Sequence, residues 1–131
     1  MAAYYVDSSV VGHAILPDGD RRAAAWLDAR CHADDLVVAS RLLRLELVRL
    51  ARREQLDLAD VDAATDRIAL LSIDDTTLRL AETIERHVRS LDAIHLATAL
   101  RFDPNLTIAT HDNHMSSVAQ ALGFPTDDPL A

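Results

Sequence analysis

The chain has 131 residues, half of them hydrophobic, and only three glycines and four prolines, which leaves little for linkers or low-complexity stretches. Twenty-one acidic residues face thirteen basic ones, for a net charge of −8, and every base is an arginine. With no lysine there is no P-loop lysine, no Schiff-base lysine and none of the lysine that phospho-aspartate sites use, and the negative balance argues against broad binding to nucleic acid.

A domain of this length buries roughly 65–70% of the surface its unfolded chain exposes, enough for a proper core. No run of 18 apolar residues exists to span a membrane, and the N-terminus lacks the charged and apolar regions of a signal peptide. The single Cys31 rules out an internal disulfide, so a cytoplasmic location is expected.

In chain order, Tyr4-Tyr5-Val6 reads as a short strand ending at Asp7. Ser8 or Ser9 caps a helix to about Ile15, which Pro17-Asp18-Gly19 breaks. A helix from Asp20 to about His32 turns Ala24, Trp26 or Leu27, and Cys31 inward. Leu36 to Ala39 is a second strand, and Ser40 caps a long helix to about Gln55. A helix over about Leu58–Ala69 leads to a third strand at Leu71-Ser-Ile73, and Asp75 to about Arg89 is helical. Ser90 caps a helix over about Leu91–Phe102, and a fourth strand runs from Leu106 to Ala109. A last helix over Asn113–Leu122 stops at Gly123, before a short edge strand at Phe124–Thr126.

Strands that alternate with helices predict parallel βαβ units. The expected architecture is α/β, one domain over residues 1–131, with helices on both faces of a parallel sheet of four to five strands.

Ligands of such sheets collect beyond the carboxyl ends of the strands. Asp7 ends the first strand and Asp112 lies three residues past the fourth, although a turn and a helix cap account for them equally well. Glu46 has Leu42, Leu43 and Leu50 as helical neighbours, so it projects from an apolar face. Carboxylates are rarely buried without a partner, and either Arg49 at i+3 or a metal ion supplies one. Asp92 opens a strongly apolar helix, where the macrodipole also favours an acid. His95, at i+3 from Asp92, is a ligand, a proton shuttle or a satisfied core residue.

Tyr-Val-Asp7-Ser-Ser, Ser40 through Glu46, Leu91-Asp92-Ala-Ile-His95-Leu-Ala-Thr-Ala, Ala109-Thr110-His-Asp112 and Leu122-Gly-Phe-Pro follow one another in an order that resembles a PIN domain. The resemblance covers essentially the whole chain and is in particular to the VapC-type toxins of toxin–antitoxin pairs. It implies a three-layer α/β/α PIN-like fold and a metal-dependent endoribonuclease, with Asp7, Glu46, Asp92 and Asp112 as its catalytic and metal-holding acids. Ser8, Thr110 and Asn113 fall at supporting positions. Some relatives have a further acid just past the last aspartate, where this chain has Asn113, His114 and Met115, which bears on a second metal position.

Four carboxylates without cysteine favour Mg²⁺ or Mn²⁺ over zinc. All four are expected to converge in one cleft. Attraction for RNA would rest on arginines, with Arg41 and Arg44 the candidates, because aromatics at 4% offer no stacking platform. The resemblance further implies a homodimer, built partly from the helices near Leu58–Ala69 and Leu78–Val88. It also implies a cognate VapB-type antitoxin, whose arginine would enter the acidic cleft near Asp7 and Asp92.

Two other readings compete with this one. A phosphatase or phospho-aspartyl protein also begins with strand-Asp, but it would use Asp-x-Asp or a lysine, and Asp7 is followed by Ser8 and Ser9. A non-catalytic PIN-like module that binds RNA or protein would tolerate losing an acid, whereas all four are present.

Overall fold

The computed structural model describes residues 1–131. Its first half runs β1 (Ala3–Val6), α1 (Ser8–Ile15), α2 (Arg21–His32), β2 (Leu36–Ser40), α3 (Leu42–Arg53), α4 (Leu58–Thr65) and β3 (Ala69–Leu71). The second half runs α5 (Asp75–Glu82), α6 (Ser90–Phe102), β4 (Thr107–Ala109), α7 (Asn113–Ala121) and β5 (Thr126–Asp127). All five strands are parallel, in the order β3-β2-β1-β4-β5.

Tyr5, Val6, Val37, Val38, Ala39, Ile108 and Ala109 are all buried, as expected of parallel strands covered on both faces. The chain steps outward from β1 to β2 and β3, then returns past β1 to β4 and β5. Right-handed crossovers therefore put α1 to α4 on one face and α5 to α7 on the other. The packing agrees: α1 lies against α2, α3 and α4, and α5 lies against α6. The expected three-layer α/β/α fold is what forms.

Because β2 and β4 flank β1 on opposite sides, the strand order reverses between β1 and β4. That point opens a crevice at the carboxyl ends, where ligands of open α/β sheets bind. The Asp7 N–H donates to Ala109 O at 3.0 Å, which pins the end of β1 to the end of β4.

Several boundaries differ from the sequence reading. β3 lies at Ala69–Leu71 rather than Leu71–Ile73, because its partner β2 ends at Ser40, opposite Leu71. α4 accordingly stops at Thr65, short of Ala69. β5 shifts to Thr126–Asp127, where it pairs with Ile108 and Ala109. Cys31 is exposed, while Ala23 and Leu27 face the core from α2.

The caps also move. Asp7 precedes α1, and Ser40 ends β2 while its Oγ accepts from the Leu42 N–H at 3.2 Å. α7 closes as read, with Gly123 at φ +95° and the Phe124 N–H on Ala119 O, a left-handed exit that suits glycine.

α5 ends at Glu82, well before Arg89. Its start is tied down by Asp74, which accepts from the Thr77 N–H at 2.9 Å and from Arg101 at 2.6 Å. The Thr77 N–H, and then the Arg101 guanidinium, hold the Asp74 carboxyl down to about 2 from its ordinary 3.8. A carboxyl depressed by folding contributes stability that is complete above its unfolded value and is lost as pH falls toward its folded one. Asp74→Asn keeps a capping side chain but removes the titration. Its urea midpoint should therefore fall less than that of the wild type between pH 3.8 and about 2. Equal acid sensitivity would exclude Asp74 as a contributor.

Candidate active site

Asp7 leaves β1 at the reversal point and is buried. Its Oδ2 accepts from Ser9 Oγ at 2.7 Å and from Thr110 Oγ1 at 2.9 Å. Thr110 is placed by its own N–H, which donates to Asp127 O of β5. Its Oγ1 also accepts from the Asp112 N–H at 3.1 Å, so one hydroxyl joins the two aspartates that leave β1 and β4.

Asp112 combines both roles considered for it. Oδ1 caps α7, accepting from the His114 and Met115 N–H groups, while Oδ2 faces Arg89. The supporting hydroxyl on Asp7 comes from Ser9, whereas Ser8 lies 3.4 Å from Glu46 Oε2. Asn113 is exposed at the start of α7 and its side chain makes no hydrogen bond in the site.

Glu46 reaches the cleft from α3, and its partner is not Arg49. His95 Nε2 lies 2.7 Å from Glu46 Oε1, which brings α6 and α3 together across the carboxyl end of the sheet. His95 is wholly buried, and its Nδ1 lies 2.5 Å from Tyr5 OH and 3.2 Å from Ser40 Oγ. Burial pushes the Tyr5 phenol above its ordinary value, against the opposing hydrogen bonds from Ser40.

Asp92 opens α6 and is largely buried. Burial raises its pKa; Arg89 opposes this, and the charge of Asp7 adds to it. Arg89 sits just before α6 in extended backbone, so Ser90 is the first helical residue and not the cap. The Arg89 guanidinium donates to Asp92 Oδ2 at 3.1 Å and to Asp112 Oδ2 at 3.4 Å. Glu46, Arg89, Ser90, Leu91 and Asp92 line one cavity.

The four acids thus surround one region: Thr110 joins Asp7 to Asp112, Arg89 joins Asp112 to Asp92, and Glu46 lines the same cavity as Asp92. They do not close into a complete ligand set as they stand, since no three His, Cys, Asp or Glu side chains lie close enough together to hold a metal ion. The expected convergence is looser than that, with an arginine interposed between two of the acids.

Of the two arginines expected to attract RNA, Arg44 is engaged with Asp62 at 2.8 Å and with Thr65, while Arg41 is exposed. Ser9, Arg89 and Tyr5 were missed in the sequence, whereas His95 is the satisfied core residue among its three readings, buried with both ring nitrogens bonded. Arg89 at i−3 from Asp92, and Tyr5 two residues before Asp7, were the available signals.

The PIN domain family model matches residues 4–121. Ribonuclease VapC47 of Mycobacterium tuberculosis is 30% identical over 132 residues, covering 97% of each chain. Ribonuclease VapC46 of the same species is 33% identical over 133 residues, covering 98% of this chain and 99% of its own. Among solved structures, VapBC2 from Rickettsia felis, bound to a DNA fragment from its promoter, superposes with a TM-score of 0.74 at 11% identity. That match covers 95% of this chain and 97% of the other, and supports the fold alone. The strand order, the carboxylates at its reversal point and these matches lead to one assignment: the chain belongs to the PIN-domain family, among its VapC-type members.

Proposed function

We propose that this protein is an endoribonuclease dependent on Mg²⁺ or Mn²⁺, and the toxin of a toxin–antitoxin pair. The observation that carries this reading is how the four carboxylates are bonded. In Asp7, Glu46 and Asp112 one oxygen is held by the protein while the other is free, at a long contact, or faces only Arg89, and in Asp92 one oxygen is free and the other faces Arg89 alone. Such outer donors fix ligand oxygens in place while leaving others for a cation.

The donor set fits a hard divalent ion: it is all oxygen, and it already attracts a cationic side chain. Asp7, Asp92, Glu46 and Asp112 would hold the ion, directly or through water. When bound there, a divalent ion supplies an acidified water and charge stabilisation for a phosphodiester. Ser9 and Thr110 orient Asp7, the α7 N-terminus orients Asp112, and His95 orients Glu46.

The groove beside α3, lined by Leu42, Leu45, Glu46, Arg49, Leu50 and Leu91, is where a VapB-type antitoxin segment would lie, with an arginine directed at the acids. Leu45 and Leu91 are large apolar side chains exposed there. A homodimer would use the face around Leu78 and Ile94. α4 contributes little, because its Val61, Ala64 and Thr65 are buried in the protein's own core. Light scattering should give twice the mass of the chain, and a monomer mass at tens of micromolar would refute the dimer.

The deciding experiment incubates labelled RNA with the protein in Mn²⁺ and in EDTA. Cleavage should require the metal and should be suppressed by the cognate antitoxin, with added Mn²⁺ competing. RNA left intact under all conditions would favour the non-catalytic module, and phosphate release from phosphomonoesters the phosphatase.

A further inference from the structure

Among the buried groups in this molecule, one chain of polar contacts leads from the sheet backbone to a site carboxylate. The Ser40 N–H donates to Tyr5 OH at 2.9 Å, and the Leu42 N–H donates to Ser40 Oγ at 3.2 Å. Each hydroxyl therefore already accepts a backbone proton, and its own proton is free for another partner. Both oxygens lie within hydrogen-bond distance of His95 Nδ1, at 2.5 and 3.2 Å.

An imidazole nitrogen facing two hydroxyl donors is an acceptor, which places the ring proton on the other nitrogen. That nitrogen, Nε2, lies 2.7 Å from Glu46 Oε1. Tyr5, Ser40 and His95 are all 0% exposed, so water does not compete for these bonds.

We propose that Tyr5, Ser40 and His95 form a positioning relay that holds His95 as the Nε2–H tautomer, so that it donates to Glu46 Oε1 and presents Oε2 to the cation site. None of the three touches the reacting atoms. They act through Glu46, as histidine-orienting carboxylates act on metal-binding histidines, with the roles reversed. The proposal rests on the reading of Glu46 as a metal ligand. It gives a reason for a fully buried histidine on the inner face of α6, and for Tyr5 lying two residues before Asp7 on the same side of the strand.

The test pairs a tautomer measurement with Mn²⁺ titration of the full chain. In metal-free wild-type protein, nitrogen NMR of labelled histidine should find the His95 proton on Nε2; a proton on Nδ1 would overturn the relay. His95→Leu should weaken Mn²⁺ binding by about tenfold or more, the usual effect of losing an orienting partner. His95→Gln, whose amide still reaches Glu46, should retain most of the affinity.

Wild-type affinity in His95→Leu would overturn the proposal, as would equal losses in the folded Leu and Gln variants. If His95→Leu does not fold, Tyr5→Phe removes a single oxygen. It should shift the His95 Nδ1 signal and lower Mn²⁺ affinity, and no change in either would overturn the relay. Glu46→Ala separates the two levels. Undiminished Mn²⁺ binding in that variant sinks the ligand reading, whereas loss there without loss in His95→Leu sinks the relay alone.

Discussion

Asp92→Asn is expected to lose at least about a hundredfold in metal-dependent RNA cleavage while gaining thermal stability in metal-free buffer. The first effect follows because a neutral amide is a poor ligand for a hard cation. Loss of an outer-shell partner already costs about 10–100-fold, and loss of a ligand itself should cost more.

The second effect follows from burial. Asp92 is raised above its ordinary value chiefly because burial disfavours its charged form. A carboxyl raised by folding binds its proton more tightly in the native state. Stability therefore falls as pH rises from the unfolded value through the folded one, and at neutral pH the charge is a net cost. The amide removes that cost, and with it the repulsion from Asp7. Loss of the Arg89 contact opposes the gain only weakly, since Arg89 is exposed and its ion pair is screened by solvent. Cleavage of labelled RNA in Mn²⁺ and melting in EDTA measure the two effects separately. Full activity with an unchanged metal requirement would remove Asp92 from the site, and a lower melting temperature would show that the Arg89 contact outweighs burial.

The residues legible in the sequence were those whose meaning is local. Asp7 and Asp112 follow short apolar strands in a βαβ pattern, so their place at the carboxyl end of the sheet followed from topology. Glu46 was conspicuous because a carboxylate stood among leucines of a helix, but the expected choice between Arg49 and a metal missed its observed partner. His95 is 49 residues away and meets Glu46 only because α6 and α3 converge past the ends of the strands. No helical periodicity encodes that meeting.

Ser9 and Ser8 were interchangeable as helix starters, and only the turn after β1 decides that Ser9 bonds Asp7 while Ser8 faces Glu46. Arg89 was hidden for a different reason. The stretch Asp75–Arg89 carries no glycine or proline, so nothing in it signals that the helix ends at Glu82. Thr83 folds its hydroxyl back onto Leu80 O, and the following residues carry Arg89 in extended backbone to the mouth of α6. The position of β3 was displaced by two residues because its register is set by β2, which periodicity within β3 does not reveal.

Arg89→Ala should tighten Mn²⁺ binding by about threefold to tenfold, the range expected when two solvent-screened ion pairs no longer compete with the metal. The guanidinium donates to Asp92 and Asp112, and its pKa is raised by the charge of Asp92, the hydrogen bond to Asp92, the charge of Asp112 and, more weakly, the charge of Asp7. It therefore occupies the place a cation would take among these acids. Yet its side chain is 77% exposed and it stands on an irregular segment rather than in α6, so it is free to swing away. Once displaced by a metal, an arginine at the rim is well placed to meet a phosphate, whose planar recognition suits the guanidinium fork. The substitution should thus raise KM for RNA even as it strengthens metal binding, and Arg89→Lys should keep part of the RNA effect through its charge. Calorimetric titration with Mn²⁺ alone measures the first quantity and steady-state cleavage the second. Unchanged or weaker Mn²⁺ affinity in Arg89→Ala would show that the guanidinium does not stand in the cation's place, and an unchanged KM would remove it from substrate binding.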